Sequence, residues 1–176
     1  MMKGPLTVIR KGIDGINWVA GWLLAALLAV MIVLIAWQVF ARYVMGSPLA
    51  FSEEIARFSM VWMTLLGAGY AFRQGTLISI DLVAETAGPT LRRAVIVLVT
   101  LISMVFAYVL LTQGWFLASR ISYQTAPSTG LSMLWLYGAI PAGAILIMIN
   151  GLALLIDQYL GDEPAARTLG QAEPTE

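Results

Sequence analysis

Residues 18–41 read WVAGWLLAALLAVMIVLIAWQVFA, about 24 positions without one charged side chain. As a helix rising 1.5 Å per residue, this run is about 36 Å long. The hydrocarbon core of a bilayer is about 30 Å thick, so the run spans it with some tilt. Lys3, Arg10 and Lys11 precede it, as basic residues precede a signal-peptide core. The run is too long for such a core and no small-residue cleavage site closes it, so it reads as an uncleaved signal anchor.

Three further apolar runs follow, at about 55–72, 94–119 and 131–156, the second interrupted only by Arg57 near its start. Each is long enough to cross. Backbone facing lipid must satisfy its own hydrogen bonds, and strand-like alternation of apolar and polar residues is absent, so the spans are helices and a β-barrel is excluded. Composition agrees. Hydrophobic residues make up 60% and charged residues 11%, against about 25% charge in an ordinary soluble domain. The expectation is an all-α integral membrane protein with four transmembrane helices, divided into a cytoplasmic N-terminal tail (1–17), a membrane domain (18–160) and a tail (161–176). That last tail is rich in Asp, Glu, Pro and Ala and is expected to be disordered.

Aromatic rings mark the interfaces. Trp18 and Trp22 flank one end of the first span, Trp37 and Tyr43 the other. Trp115 and Tyr123 close the third, while Trp135, Tyr137 and Tyr159 bracket the fourth. Trp62 falls inside the second span and is expected to face protein or to sit on a tilted helix. With the N-terminus inside, that side holds Lys3, Arg10, Lys11, Arg73, Arg92, Arg93 and Arg167, against Arg42, Arg57 and Arg120 opposite. This bias places both termini in the cytoplasm. The connection over 42–54 contains the turn signal Gly46-Ser47-Pro48. Over 73–93, Leu77, Ile78, Ile80, Leu82 and Val83 are interleaved with Asp81 and Glu85, the pattern of a short helix lying in the interface. The connection over 120–130, with Ala126-Pro127-Ser128-Thr129-Gly130, reads as a loop. No internal repeat supports an inverted-repeat transporter.

The chemistry the chain lacks is informative. It has no cysteine and no histidine, which excludes thiol redox chemistry and bis-histidine haem and argues against zinc. Ten basic and ten acidic residues give no pull toward nucleic acid. No ionisable residue lies mid-span, where ion paths and proton relays usually place one. The polar residues in the spans are Gln38, Ser59, Thr64, Thr100, Ser103, Thr112, Gln113 and Asn150, expected to bond to backbone or to a neighbouring helix. Small residues recur as Gly21, Ala25 and Ala29, as Gly67, Ala68, Gly69 and Ala71, and as Gly138, Ala142 and Gly143. They allow close approach of helices, either within this chain or with another membrane subunit. Pro141, eased by Gly138 and Gly143, is placed to kink the fourth helix.

At the start of the second span stands Phe51-Ser52-Glu53-Glu54-Ile55-Ala56-Arg57. Ser52 suits a helix cap and the carboxylates suit its first turn. Arg57 lies four residues from Glu53 and three from Glu54, on one shared face. A capped helix start at the interface accounts for every residue. Acid–base catalysis or cation binding would need further acids or histidines nearby.

The order Glu53-Glu54-Ile55-Ala56-Arg57, Val61-Trp62, Gly67-Ala68, Arg73-Gln74-Gly75 and Ile80-Asp81-Leu82 resembles the small membrane (DctQ-like) subunit of tripartite ATP-independent periplasmic (TRAP) transporters. The stretch from Leu131 to Pro141, with Trp135 and Tyr137, is similar to that family's fourth helix. Phe51-Ser52 stands where the family commonly has a tryptophan, and Leu77 where it commonly has a histidine. The resemblance implies a small permease subunit of a sodium-coupled system in a bacterial inner membrane. Such a subunit braces the large membrane subunit, and a periplasmic binding protein delivers an organic acid. On this reading Glu53, Glu54 and Arg57 fix the start of the second helix at the periplasmic face, Arg73 and Asp81 anchor the cytoplasmic turn, and Trp62 and Pro141 are structural or interface candidates. No catalytic, cofactor-binding or metal-binding residue is implied, and the partners are the two transporter proteins and lipid. The alternatives are a membrane anchor for a redox enzyme, lacking the expected histidines or cysteines, and a small oligomeric exporter, lacking the acid at depth.

Overall fold

The computed structural model describes residues 3–46, 49–74 and 89–160. The expected interfacial helix at 77–85, with Asp81, and the tail 161–176 lie outside the described residues. Apart from the loop over 121–133 and short turns, the described residues are helical: α1 (Lys3–Val44), α2 (Ala50–Arg73), α3 (Pro89–Arg120), a single turn α4 (Leu134–Tyr137) and α5 (Ala139–Leu160). Among the described residues, four segments are long and apolar enough to cross a membrane: Val8–Val44, Ala50–Arg73, Arg93–Arg120 and Leu134–Gln158. The chain is thus an all-α multi-pass membrane protein with four spans.

Several boundaries differ from the sequence reading. Helix α1 begins at Lys3, so most of the stretch read as an N-terminal tail is helical. Pro5 falls in the first turn, where a missing N–H costs nothing. Gly12 and Gly15 have no neighbour within 4 Å of a would-be Cβ and are simply carried along. Gly46, with φ of 65°, ends the first hairpin's helix in a conformation other residues rarely adopt. The fourth span is interrupted in the turn just before Pro141. It breaks at Gly138, between α4 and α5, and Pro141 lies buried in the first turn of α5, where proline is tolerated. The loop before it is a small hairpin closed by an antiparallel bridge between Thr125 and Ser132, with Gly130 at φ of 69° turning the chain.

The four spans form a row rather than a closed square. Helix α2 packs on α1 and α5, α5 packs on α2 and α3, and α1 touches α5 only lightly. Among the described residues, α3 meets neither α1 nor α2. Half of the fourth span is therefore buried within the chain, a third of the second, and very little of the first and third. Close approach depends on glycine where the row is tightest. A Cβ on Gly143 would sit 2.7 Å from the Leu65 carbonyl oxygen, and one on Gly69 would sit 2.9 Å from Leu146. One on Gly114 would sit 2.5 Å from Ile140, and one on Gly151 would sit 2.9 Å from Met104. These glycines set the α2–α5 and α5–α3 spacings. Ala25 and Ala29, by contrast, point outward. At the centre Ala20, Leu66 and Leu146 form a buried cluster, with Leu24, Trp62, Tyr70 and Ala142 packed around it.

Candidate functional site

The polar residues gather at the two ends of the row. At the end where α1 begins and α2 and α5 finish, Arg73 lies between two carboxylates. Its Nη1 donates to Asp157 Oδ2 at 2.6 Å, and its Nη2 and Nε donate to Asp14 Oδ1 at 2.8 and 3.2 Å. Arg10 Nε stands 3.3 Å from the other Asp157 oxygen. Two arginines and two aspartates thus form a neutral node tying α1, α2 and α5 together. Asp157 is 1% exposed. A carboxylate so enclosed persists only when paired, and here both its oxygens face guanidinium groups.

About one turn further in lies an amide pair. Asn17 Nδ2 donates to Asn150 Oδ1 at 2.6 Å, and Asn150 Nδ2 returns a bond to Asn17 Oδ1 at 2.9 Å. Asn150 also donates to the Gly69 carbonyl at 2.7 Å, and Asn17 donates to the Ile13 carbonyl at 2.9 Å. Neither amide is exposed, and the pair joins the same three helices. Without water to compete, each unmade bond would leave a polar group stranded in an apolar core.

At the opposite end the acidic pair divides. Glu53 Oε1 accepts from Arg57 Nη2 at 3.1 Å, an exposed pair four residues apart. Glu54 does not share that partner. Its Oε2 accepts the backbone N–H groups of Ser128 and Thr129 at 3.1 and 2.7 Å and so fastens the hairpin to α2. Successive helical residues point about 100° apart, so Glu54 turns toward the row while Glu53 turns away. Ser52 does not cap the helix. Because α2 starts at Ala50, Ser52 already lies in its first turn, and its hydroxyl donates to the Leu49 carbonyl at 2.7 Å. Trp62 faces protein: its Nε1 donates to the Trp135 carbonyl at 2.7 Å, joining α2 to α4.

The candidate residues therefore separate into three groups. Glu54 and Trp62 hold the hairpin and α4 against α2. Arg73 belongs to the node at the far end, and Arg57 with Glu53 lies on the surface. Sequence reasoning missed Asp14, Asn17 and Asp157. Asp157 stands one residue beyond the fourth apolar run, and Asp14 lies among basic residues, so neither announces its partner. Asn150 was noted as polar within a span, and its bonds to a neighbouring side chain and a neighbouring backbone are of the expected kind. Among the described residues, no group of three or more His, Cys, Asp or Glu is placed to hold a metal ion.

Among the described residues, the fold is that of a multi-pass membrane protein: a row of four apolar helices with polar groups tied together at both ends and no Asp, Glu, Lys or Arg at mid-depth. The family model for tripartite ATP-independent periplasmic transporters, DctQ component, matches residues 31–161, and the chain belongs to that family. It is 25% identical to the sialic acid TRAP transporter small permease protein SiaQ of Vibrio cholerae over 148 residues, 84% of this chain and 83% of that protein. It is 27% identical to a putative TRAP transporter small permease protein of Haemophilus influenzae, across 84% of this chain and 87% of that one. A third relative, the sialic acid TRAP transporter permease protein SiaT of Haemophilus influenzae, is 28% identical over 134 residues. These cover 76% of this chain and only 21% of SiaT. The chain is thus a TRAP transporter small permease subunit, not an enzyme, of a kind that works with a large permease subunit. The redox-anchor and exporter alternatives are set aside by this membership.

Proposed function

We propose that this subunit scaffolds the large transport subunit of a sodium-coupled TRAP system in the bacterial inner membrane, for uptake of an organic acid delivered by a periplasmic binding protein. The observation that carries the reading is the combination of rigid ends and uncommitted walls. The node of Arg10, Asp14, Arg73 and Asp157 and the Asn17–Asn150 pair bind three helices together. Among the described residues no Asp, Glu, Lys or Arg lies at mid-depth to carry an ion. Meanwhile α1 and α3 present long apolar surfaces outside the row. A large neighbour can be held by such a body without the body taking part in solute movement. Specificity for the acid then rests with the other two proteins.

Both termini are placed in the cytoplasm by the basic-residue bias, which puts the four-residue node on that side and the Glu54-bound hairpin on the periplasmic side. A reporter enzyme active only in the periplasm, fused at either terminus, is expected to be silent. For the function itself, the chain is co-expressed with a large TRAP permease subunit from the same organism, and only this chain is tagged. Recovery of a stable complex, with sodium-dependent uptake in liposomes that fails without this subunit, supports the scaffold. Recovery of this chain alone, as a discrete folded oligomer, refutes it.

A further inference from the structure

The two end helices of the row differ in what they show to the outside. On α1, Trp18 and Trp22 stand exposed near one end and Trp37, Phe40 and Tyr43 near the other. Trp18 and Trp37 are about 28 Å apart along the axis, close to the thickness of the hydrocarbon core. Between these aromatic bands, residues 23–36 are all apolar. Such a wall has the spacing and composition that lipid demands.

Helix α3 is different. The centre line of its exposed side runs through Val105, Val109, Thr112 and Phe116, with Tyr108 and Gln113 to either side of it. Tyr108 is 59% exposed. It lies about 18 Å from Arg120 and about 22 Å from Arg93 along the helix. Helical side chains lean toward the helix N-terminus, which carries the Tyr108 hydroxyl toward the middle of the span, not toward the nearer surface. Among the described residues nothing bonds to that hydroxyl or to the Gln113 amide. Thr112 is satisfied locally, donating to the carbonyls of Tyr108 and Val109, both at 3.1 Å. A phenol at mid-depth and an amide about one turn inside the aromatic band have no partner in acyl chains. They are suited to a protein neighbour that supplies donors and acceptors at the same depth.

We propose that the outer side of α3, between Tyr108 and Gln113, is the seam where this chain meets the large transport subunit, and that the outer side of α1 faces lipid. This rests on the scaffold reading above. The occupant follows from two observations together. The wall needs a hydrogen-bonding protein at mid-membrane, and in SiaT the matching segment is a fifth of one polypeptide, which keeps the remainder beside it.

The test uses the co-expressed complex in native membranes. A benzophenone amino acid is placed singly at Val105 or Val109 on α3, and at Ile32 or Val33 on α1. Irradiation is expected to join the small subunit to the large one from both α3 positions, at least about tenfold more than from either α1 position. Adducts to the large subunit from α1 instead, adducts between two copies of this chain from α3, or adducts to lipid alone from both walls would each overturn the assignment while leaving the complex intact. Failure of the two proteins to purify together would overturn the scaffold reading itself. In parallel, Tyr108→Phe with Gln113→Leu keeps both shapes apolar and insertable. It is expected to lower recovery of the complex about threefold to tenfold, as loss of one or two interhelical hydrogen bonds would. Unchanged recovery at equal membrane levels of this chain would also overturn the assignment.

Discussion

Replacing Asp157 by alanine probes the node most directly. The carboxylate takes a 2.6 Å bond from Arg73 and faces Arg10 at 3.3 Å, and both it and Arg73 are largely shut off from solvent. Removing one partner of a buried ion pair costs about 3–5 kcal/mol, because the other charge is left behind. Here Arg73 keeps Asp14, whose side chain is half exposed, so a loss of about 2–3 kcal/mol is expected once that remaining partner and its access to water are allowed for. For a chain of this size, 1 kcal/mol moves the midpoint by about 2–4 °C, so thermal unfolding of the detergent-purified protein should shift down by about 4–12 °C. Adding Arg73→Met removes the stranded charge and should recover part of that loss. Arg57→Ala, which breaks only the exposed pair with Glu53, is the control and should cost about 0.5 kcal/mol, a shift of about 1–2 °C. A drop no larger than the control's, or a double variant less stable than Asp157→Ala alone, would refute the view that the node closes the row.

Three further outcomes follow from the packing. Asn150→Leu breaks the bonds to Asn17 and Gly69 and leaves the Asn17 side-chain oxygen without its donor, while Asn17 keeps its bond to the Ile13 carbonyl; the expected loss is about 1–2 kcal/mol, seen as a lower unfolding midpoint in detergent. Gly143→Ala would press a methyl group against the Leu65 carbonyl and should cost about 1–3 kcal/mol. Gly12→Ala meets nothing and should stabilise α1 by about 0.5–1 kcal/mol, so the two changes must move the midpoint in opposite directions. Glu54→Ala removes the acceptor for the Ser128 and Thr129 amides, and hydrogen exchange at those two positions should become faster while α5 keeps its protection.

The number and type of spans could be read from hydrophobicity because the bilayer imposes a length and forbids unpaired backbone, and both constraints act on one segment at a time. Placement of side chains between segments could not be read in the same way. Asp14, Asn17 and Asp157 each sit in a stretch whose local pattern explains them without a partner, and only the alignment of three helices makes them a set. The split of Glu53 from Glu54 is a similar case. Spacing along the helix permits Arg57 to reach either one, and the hairpin decides by bringing two backbone amides to Glu54. The interruption at Gly138 lies one turn before Pro141, which has no N–H to give the Tyr137 carbonyl, so this feature was legible from the proline and its neighbouring glycine.

The row arrangement also bears on the order in which the protein can be assembled. Spans leave the ribosome in sequence, α1 and α2 first, and these two already pack on each other. Helix α3 comes next and, among the described residues, finds nothing in them to hold. Beyond its contact with the single turn α4, its packing within the chain waits for α5, which is made last and lies between α2 and α3. Until then the nascent chain is a helical pair with a third helix adrift, and the node lacks the carboxylate that α5 brings. A chain cut short before residue 139 would stop at that stage, with Arg73 deprived of Asp157 and α3 touching only the single turn α4. In such a product only α1 and α2 would be packed together along their length.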